Sequence, residues 1–427
     1  MKRSVRDLAP EELRGRRALV RVDYNVPLQE GRVADATRIE ASCPTLRYLL
    51  ERDARPVLLS HLGRPGGRPD PHHSLAPVAD ELERKIGARV HFVAPADSRE
   101  AVEASRAMGG DAVLLLENVR FLPGEAGNDD ALAARLASLG ELYVNDAFGC
   151  LHRAHASTVG VARLLRPAVT GLRVEEELRV LGALLSSPAR PFVAALGGAK
   201  IADKISLLRS LLERCDRVLV GGVMANTLLR ASGLSLGASR VEQQALPVAS
   251  ELLGPGGERL LLPTDLVLAD DLEAESPEIL ERPVGQVPDG YAALDIGEQS
   301  RLAYGREIRE ARTFFWNGPM GRFENPPFAA GTFAVARAAV EATQRGAFTV
   351  VGGGDSARAL REAEAADRVS FVSTGGGASL EFLAGKTLPG LAVLESGRLT
   401  EKGRTSEGGE RGGGRGLLTA LDEGRRS

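Results

Sequence analysis

Two glycine runs carry the first chemical signal: Gly352-Gly353-Gly354-Asp355-Ser356, fed by the apolar segment Phe348 to Val351, and Thr374-Gly375-Gly376-Gly377, fed by Arg368 to Ser373. Three successive glycines strip every Cβ from a turn, so backbone N–H groups can approach an anion closely, and a helix that follows adds its positive end. Asp355 stands inside the first run, where a carboxylate repels phosphate unless a cation lies between them. That combination points to a metal-bound nucleotide polyphosphate. Two other glycine motifs fit less well. Gly352-x-Gly354-x-x-Ala357 matches a dinucleotide fingerprint, but the next strand ends in Ser373-Thr374 rather than the acid that would hold a ribose. Ala384-Gly385-Lys386-Thr387 mimics the end of a P-loop, yet the position of its first glycine is Leu380.

The first half carries a different set. Residues just after strands matter most in open parallel sheets, because ligands bind at the carboxyl ends. Those positions hold Asp23 and Asn25, then Asp35 and Arg38; His61 and Arg64; Asn118 and Arg120; and Asn145, Asp146, His152, Arg153 and His155. Arg38, His61, Arg64, Arg120 and Arg153 therefore face one cleft from different loops. Guanidinium forks bind phosphate and carboxylate bidentately, so a small phosphorylated acid is the natural ligand. All six histidines precede residue 156. His152-x-x-His155 could put two imidazoles on one helical face, but no third ligand is spaced to complete a metal site. His72-His73, among prolines, reads as a solvated loop, and the absence of Gly-x-Ser-x-Gly leaves nucleophilic hydrolysis unsupported.

In the second half, Phe192 to Leu196 opens into Gly197-Gly198-Ala199-Lys200-Ile201-Ala202-Asp203-Lys204. The spacing predicts Lys200 and Lys204 on one face of a helix, an arrangement that an anion would stabilise. Gly221-Gly222 ends the next strand. Trp316-Asn317-Gly318-Pro319-Met320-Gly321 ends another, offering close backbone approach to a flat base, with Glu324 beyond it to accept from a ribose hydroxyl.

Short apolar runs alternating with amphipathic segments must position these groups, and they predict an α/β fold of two Rossmann-like, three-layer α/β/α parallel-sheet domains. Strands are expected at 18–22, 56–60, 90–93, 112–117 and 141–145 in the first half. In the second they fall at 192–196, 217–220, 259–262, 313–316, 348–351 and 369–372. Helices are expected over 75–86 and over 132–139 after Asp129 and Asp130. Leu178, Leu181 and Leu185, set among Glu175, Glu176 and Glu177, predict one charged amphipathic connecting helix near 174–185, within a hinge of 171–187. The domains are then 1–170 and 188–387. The segment 403–427 is glycine- and charge-rich and predicts disorder.

At 427 residues, with 43% hydrophobic and 26% charged residues, the chain has the composition of an ordinary two-domain globular protein. A net charge of −3 argues against a general nucleic-acid binder. No apolar stretch is long enough for a membrane span and the N-terminus lacks a signal-peptide core, so a cytoplasmic location without membrane or nucleic-acid partners is expected. Cys43, Cys150 and Cys215 are too few and too scattered for a disulfide framework or a zinc site.

The order of these motifs resembles the phosphoglycerate kinase family along nearly the whole chain, through 21–27, 60–65, 115–121, 145–149, 197–205, 316–324, 352–356 and 373–390. The resemblance implies reversible, magnesium-dependent phosphoryl transfer in glycolysis between 1,3-bisphosphoglycerate and ADP, giving 3-phosphoglycerate and ATP, by a monomeric, hinge-bending enzyme. It assigns Asp23, Asn25, Arg38, His61, Arg64, Arg120 and Arg153 to the phosphoglycerate. Lys204, Gly221, Gly222, Asn317, Glu324, Gly353, Gly354, Asp355 and Ser356 go to the nucleotide, and Asp355 also to the metal. Arg38, Lys200 and Gly376 go to the transferring phosphoryl. It further implies that 388–402 packs back on the first domain. Glu298, where the family has proline, and Leu151, where it has a smaller residue, depart from the pattern. A catalytically silent nucleotide-binding module built on the second half alone is the rival reading, and intact Arg38, Lys200 and Asp355 speak against it. A nicotinamide dehydrogenase on the Gly352 fingerprint is the third.

Overall fold

The computed structural model describes residues 2–254, 257–271 and 277–397. Residues 398–402 and the tail expected to be disordered over 403–427 lie outside them.

The first lobe comprises β1 (Arg17–Arg21), a small hairpin of β2 (Leu28–Gln29) and β3 (Arg32–Val33), β4 (Arg55–Leu59), β5 (Arg89–Val93), β6 (Ala112–Leu116), β7 (Leu142–Asn145) and β8 (Ala168–Thr170). Apart from the hairpin, these form one parallel sheet in the order β5-β6-β4-β1-β7-β8. The second lobe contains β9 (Phe192–Leu196), β10 (Arg217–Val220), β11 (Leu260–Leu261), β12 (Asp265–Ala269), β13 (Ile279–Pro283), β14 (Ala292–Ile296), β15 (Thr313–Asn317), β16 (Phe348–Gly352) and β17 (Phe371–Val372). Its main sheet is parallel, ordered β11-β10-β9-β15-β16-β17, with β13-β12-β14 as a separate antiparallel sheet.

Both main sheets are covered on two faces, which is why their strands read as continuous apolar runs. Ala18 and Val20 of β1 enter one core cluster while Leu19 enters the other. Phe192, Ala194 and Leu196 of β9 likewise face one cluster and Val193 and Ala195 the opposite one. In each sheet the first strand is central and its successors leave on both sides, so the crevice at its carboxyl end is where a ligand can enter.

The predicted connecting helix runs over Leu172–Ser186. Its start is capped from outside: Arg173 N–H donates to Asp146 Oδ1 at 2.8 Å and Leu172 N–H to Thr45 Oγ1 at 2.9 Å. Thus the end of β7 fixes where the helix begins. The last described residues return to the first lobe, where Arg3 N–H donates to Glu395 O at 2.8 Å, Glu395 N–H to Ala168 O at 2.9 Å, and Leu394 is buried. Leu151 packs in the core, and Gly390 N–H donates to its carbonyl at 2.9 Å. At the other departure, Glu298 opens the helix Glu298–Glu310, whose amides at Gln299 and Ser300 are capped by the Asp265 carboxylate, both at 2.8 Å.

Candidate active site

Strand ends bring the predicted cations together. Asp23, Asn25, Arg38, His61, Arg64, Arg120 and Arg153 all line one cavity of about 260 Å³, together with Gly149, Cys150, His152 and His155. The opposite wall of this cavity is Thr374 to Gly377 from the second lobe. A neighbouring cavity is bounded by Asn25, Asp35 and Arg38 on one side and by Gly353, Gly354, Thr374 and Gly376 on the other. Arg38 therefore faces both. Its guanidinium reaches the Asp23 carboxylate at 3.0 Å, and an Asp35–Arg361 ion pair at 3.4 Å crosses between the lobes beside it.

Loop geometry is set by short hydrogen bonds. Asn118 Nδ2 donates to Leu62 O at 2.7 Å, Gly63 N–H to Asn25 Oδ1 at 2.8 Å, and Arg120 to Gly63 O at 2.5 Å. Burial and the surrounding guanidinium groups keep the imidazoles neutral: His61 is held well below its ordinary pKa, and His155 is pushed down to about 4. Asp23, His61 and Cys150 offer ligand atoms within 4.8 Å of one another. Arg38 already occupies the carboxylate, and Arg21 lies 3.1 Å from His61 Nδ1. Cationic partners hold the positions a metal would need.

The nucleotide candidates gather at the ends of β9, β10, β15 and β16. Lys204 Nζ donates to Gly197 O at 2.6 Å and lies 3.3 Å from Asn317 O. A Cβ on Gly197 would come within 1.9 Å of Pro319 O, and one on Gly221 within 2.7 Å of Met320, so these glycines permit strand ends to touch. Asn317 Nδ2 donates to Gly352 O at 2.8 Å, and Ser356 Oγ accepts from Gly318 N–H at 2.6 Å. A Cβ on Gly222 would come within 3.0 Å of the Gly198 backbone in the same cluster, while Glu324 is exposed beyond it. Asp355 is exposed in the first turn of the helix Gly354–Glu362. That suits a hydrated magnesium ion held by one carboxylate and by phosphate oxygens.

Lys200 departs from expectation. Ala202–Lys204 forms only a 3-10 turn and the α-helix begins at Ile205, so Lys200 and Lys204 do not share a helical face. Glu242 explains this, because its carboxylate takes the N–H groups of Ile201 and Ala202 at 2.7 and 3.0 Å and holds the chain in a loop. Lys200 is exposed there and lines neither cavity.

Sequence reasoning also missed groups behind the walls. Arg21 is almost completely buried at the end of β1 and backs His61; an arginine inside the run Ala18-Leu19-Val20-Arg21-Val22 was the available signal. Glu177, expected on a charged outer face, is fully buried and ties the connecting helix to the second glycine run. It accepts from Arg173 at 2.9 Å, Ser373 Oγ at 2.7 Å and Thr374 N–H at 2.8 Å.

Two parallel-sheet lobes thus place a cation-lined cavity on one, glycine-rich strand ends on the other, and Arg38 between them. The phosphoglycerate kinase profile matches residues 5–386. A phosphoglycerate kinase from Thermus thermophilus is 54% identical over 396 residues, covering 92% of this chain and all of that protein. The Chloroflexus aggregans phosphoglycerate kinase is 51% identical over 401 residues, covering 92% and 99%. The structure of phosphoglycerate kinase from Coxiella burnetii superposes with a TM-score of 0.81 at 37% identity, over 92% of this chain and 98% of that one. The chain belongs to the phosphoglycerate kinase family.

Proposed function

We propose that this enzyme transfers a phosphoryl group reversibly between 1,3-bisphosphoglycerate and ADP, acting in glycolysis as a cytoplasmic monomer. The observation that most directly supports this is Arg38, which faces both the cation-lined cavity and the glycine loops. Asp23, Asn25, Arg38, His61, Arg64, Arg120 and Arg153 bind the phosphoglycerate. Lys204, Gly221, Gly222, Asn317, Glu324, Gly353, Gly354 and Ser356 bind the nucleotide. The described chain has no helix long and apolar enough to cross a membrane.

In either direction the attacking oxygen is already anionic, a carboxylate or a nucleotide phosphate, so the site needs no general base. It needs cations, because charge spreads over the phosphoryl oxygens in a loose in-line transition state. Arg38 from the first lobe, and Lys200 and the backbone at Gly376 from the second, supply that stabilisation. Asp355 would hold a magnesium ion on the bound nucleotide, where it would supply further charge neutralisation. Lys200 lines neither cavity, so closure about the connecting helix is the step that brings it in and expels water.

A coupled assay with 3-phosphoglycerate and ATP tests the reading. Turnover should require magnesium and fall by roughly 10² in Lys200→Ala with little change in the KM for the acid. No turnover in the unmodified enzyme, or full activity in the variant, would refute it.

A further inference from the structure

Behind the acid cavity runs a chain of buried polar groups that no step above uses. Glu125, 1% exposed, accepts from Ser157 N–H at 3.0 Å and from Ser157 Oγ at 2.6 Å. With its proton committed to Glu125, the Ser157 hydroxyl can offer Arg21 only a lone pair, and Arg21 Nε donates to it at 2.9 Å. The same guanidinium donates to the Val22 carbonyl and reaches His61 Nδ1 at 3.1 Å. A guanidinium has no acceptor, so Nδ1 must accept and the proton of the neutral ring must sit on Nε2. Glu125 also lies 3.8 Å from Nδ1 of His155, a second imidazole on the cavity wall.

We infer that Glu125 is a positioning residue for the acid pocket: through Ser157 and Arg21 it fixes which nitrogen of His61 carries the proton offered to the bound acid. This rests on reading the cavity as the phosphoglycerate site. Without the carboxylate, the serine hydroxyl is released to rotate, Arg21 loses its ordered acceptor, and His61 loses the donor that selects its tautomer. A glutamine retains an acceptor for Ser157 N–H and a donor for its Oγ, so the relay survives with altered charge.

Long-range proton–nitrogen NMR of the His61 ring, recorded on the full protein without substrate, reads the tautomer directly. The unmodified protein and Glu125→Gln should show the Nε2–H form, and Glu125→Ala and Ser157→Ala should lose it. In the coupled assay these two alanine variants should raise the KM for 3-phosphoglycerate about tenfold, leaving the KM for ATP within roughly twofold. Glu125→Gln should stay near the unmodified value, and the double alanine variant should be no worse than either single one. An Nδ1–H ring in the unmodified protein would overturn the proposal. So would an unmoved acid KM, both KM values rising together with a lowered melting temperature, or a glutamine variant as impaired as alanine. Failure of the underlying functional reading looks different, since the unmodified enzyme would then not turn over 3-phosphoglycerate while the ring spectrum stayed readable.

Discussion

Replacing Arg38 by alanine perturbs two interactions at once. The guanidinium faces both cavities, and it is paired with Asp23 at 3.0 Å. On the proposed function its loss removes one donor to the migrating phosphoryl group, an effect of roughly 3 kcal/mol, which corresponds to on the order of 10² in kcat. It also strands the Asp23 carboxylate, whose side chain is only 15% exposed, in a cavity that must accept an anion. The KM for 3-phosphoglycerate should therefore rise as well, by about tenfold, the partial exposure of Arg38 having already screened the pair. Combining Asp23→Ala with Arg38→Ala should recover part of that KM without recovering kcat. Arg38→Lys keeps the charge but not the fork, and should fall between the two. Steady-state kinetics in both substrates, with calorimetric titration of ADP, separate these effects. An unchanged kcat, or a loss of ADP affinity equal to the loss for the acid, would refute the division of labour between the lobes.

Glu177→Ala should cost about 3–5 kcal/mol, because Arg173, Ser373 and Thr374 lose a buried carboxylate they share. Thermal melting measures the loss, and Glu177→Gln should recover much of it; equal melting temperatures for all three proteins would contradict the assignment. Burial pushes the carboxyl groups of Asp146 and Asp295 up to about 7. A carboxyl that binds its proton more tightly folded than unfolded gives stability that is complete below about 3.9 and lost as pH rises through about 7. His61 and His155, depressed in the folded state, act in the opposite sense near neutral pH, so the comparison is with a variant. Asp295→Asn should lose less stability than the unmodified protein between pH 5 and 8 in denaturant titrations, and parallel curves would refute this.

Much of the site was legible because parallel sheets put ligand-binding residues directly after apolar runs. Arg38, His61, Arg64, Arg120 and Arg153 could be grouped on that rule alone, and one cavity holds them. Strands such as β9 and β10 matched the expected spans residue for residue. Others did not announce themselves. β8 is three residues long, and β13 is largely exposed and charged on both faces, so neither gives a periodic signal. The antiparallel β13-β12-β14 sheet was missed, although β12 is itself a fully buried run through Leu266, Val267 and Leu268.

The sequence by itself determined the two-sheet architecture, the anionic character of the ligands and the order of the loops, because burial periodicity and turn chemistry are local properties of the chain. Tertiary structure alone decided three things. Glu242, forty-one residues from Ile201, keeps Lys200 off a helix. Glu177 turns inward to meet Thr374, and Glu125 reaches Arg21 through Ser157. Glu177 and Glu125 are buried and Glu242 is half-buried, each has a partner distant in sequence, and a charge withdrawn from water takes its place from whichever donor the fold brings within reach.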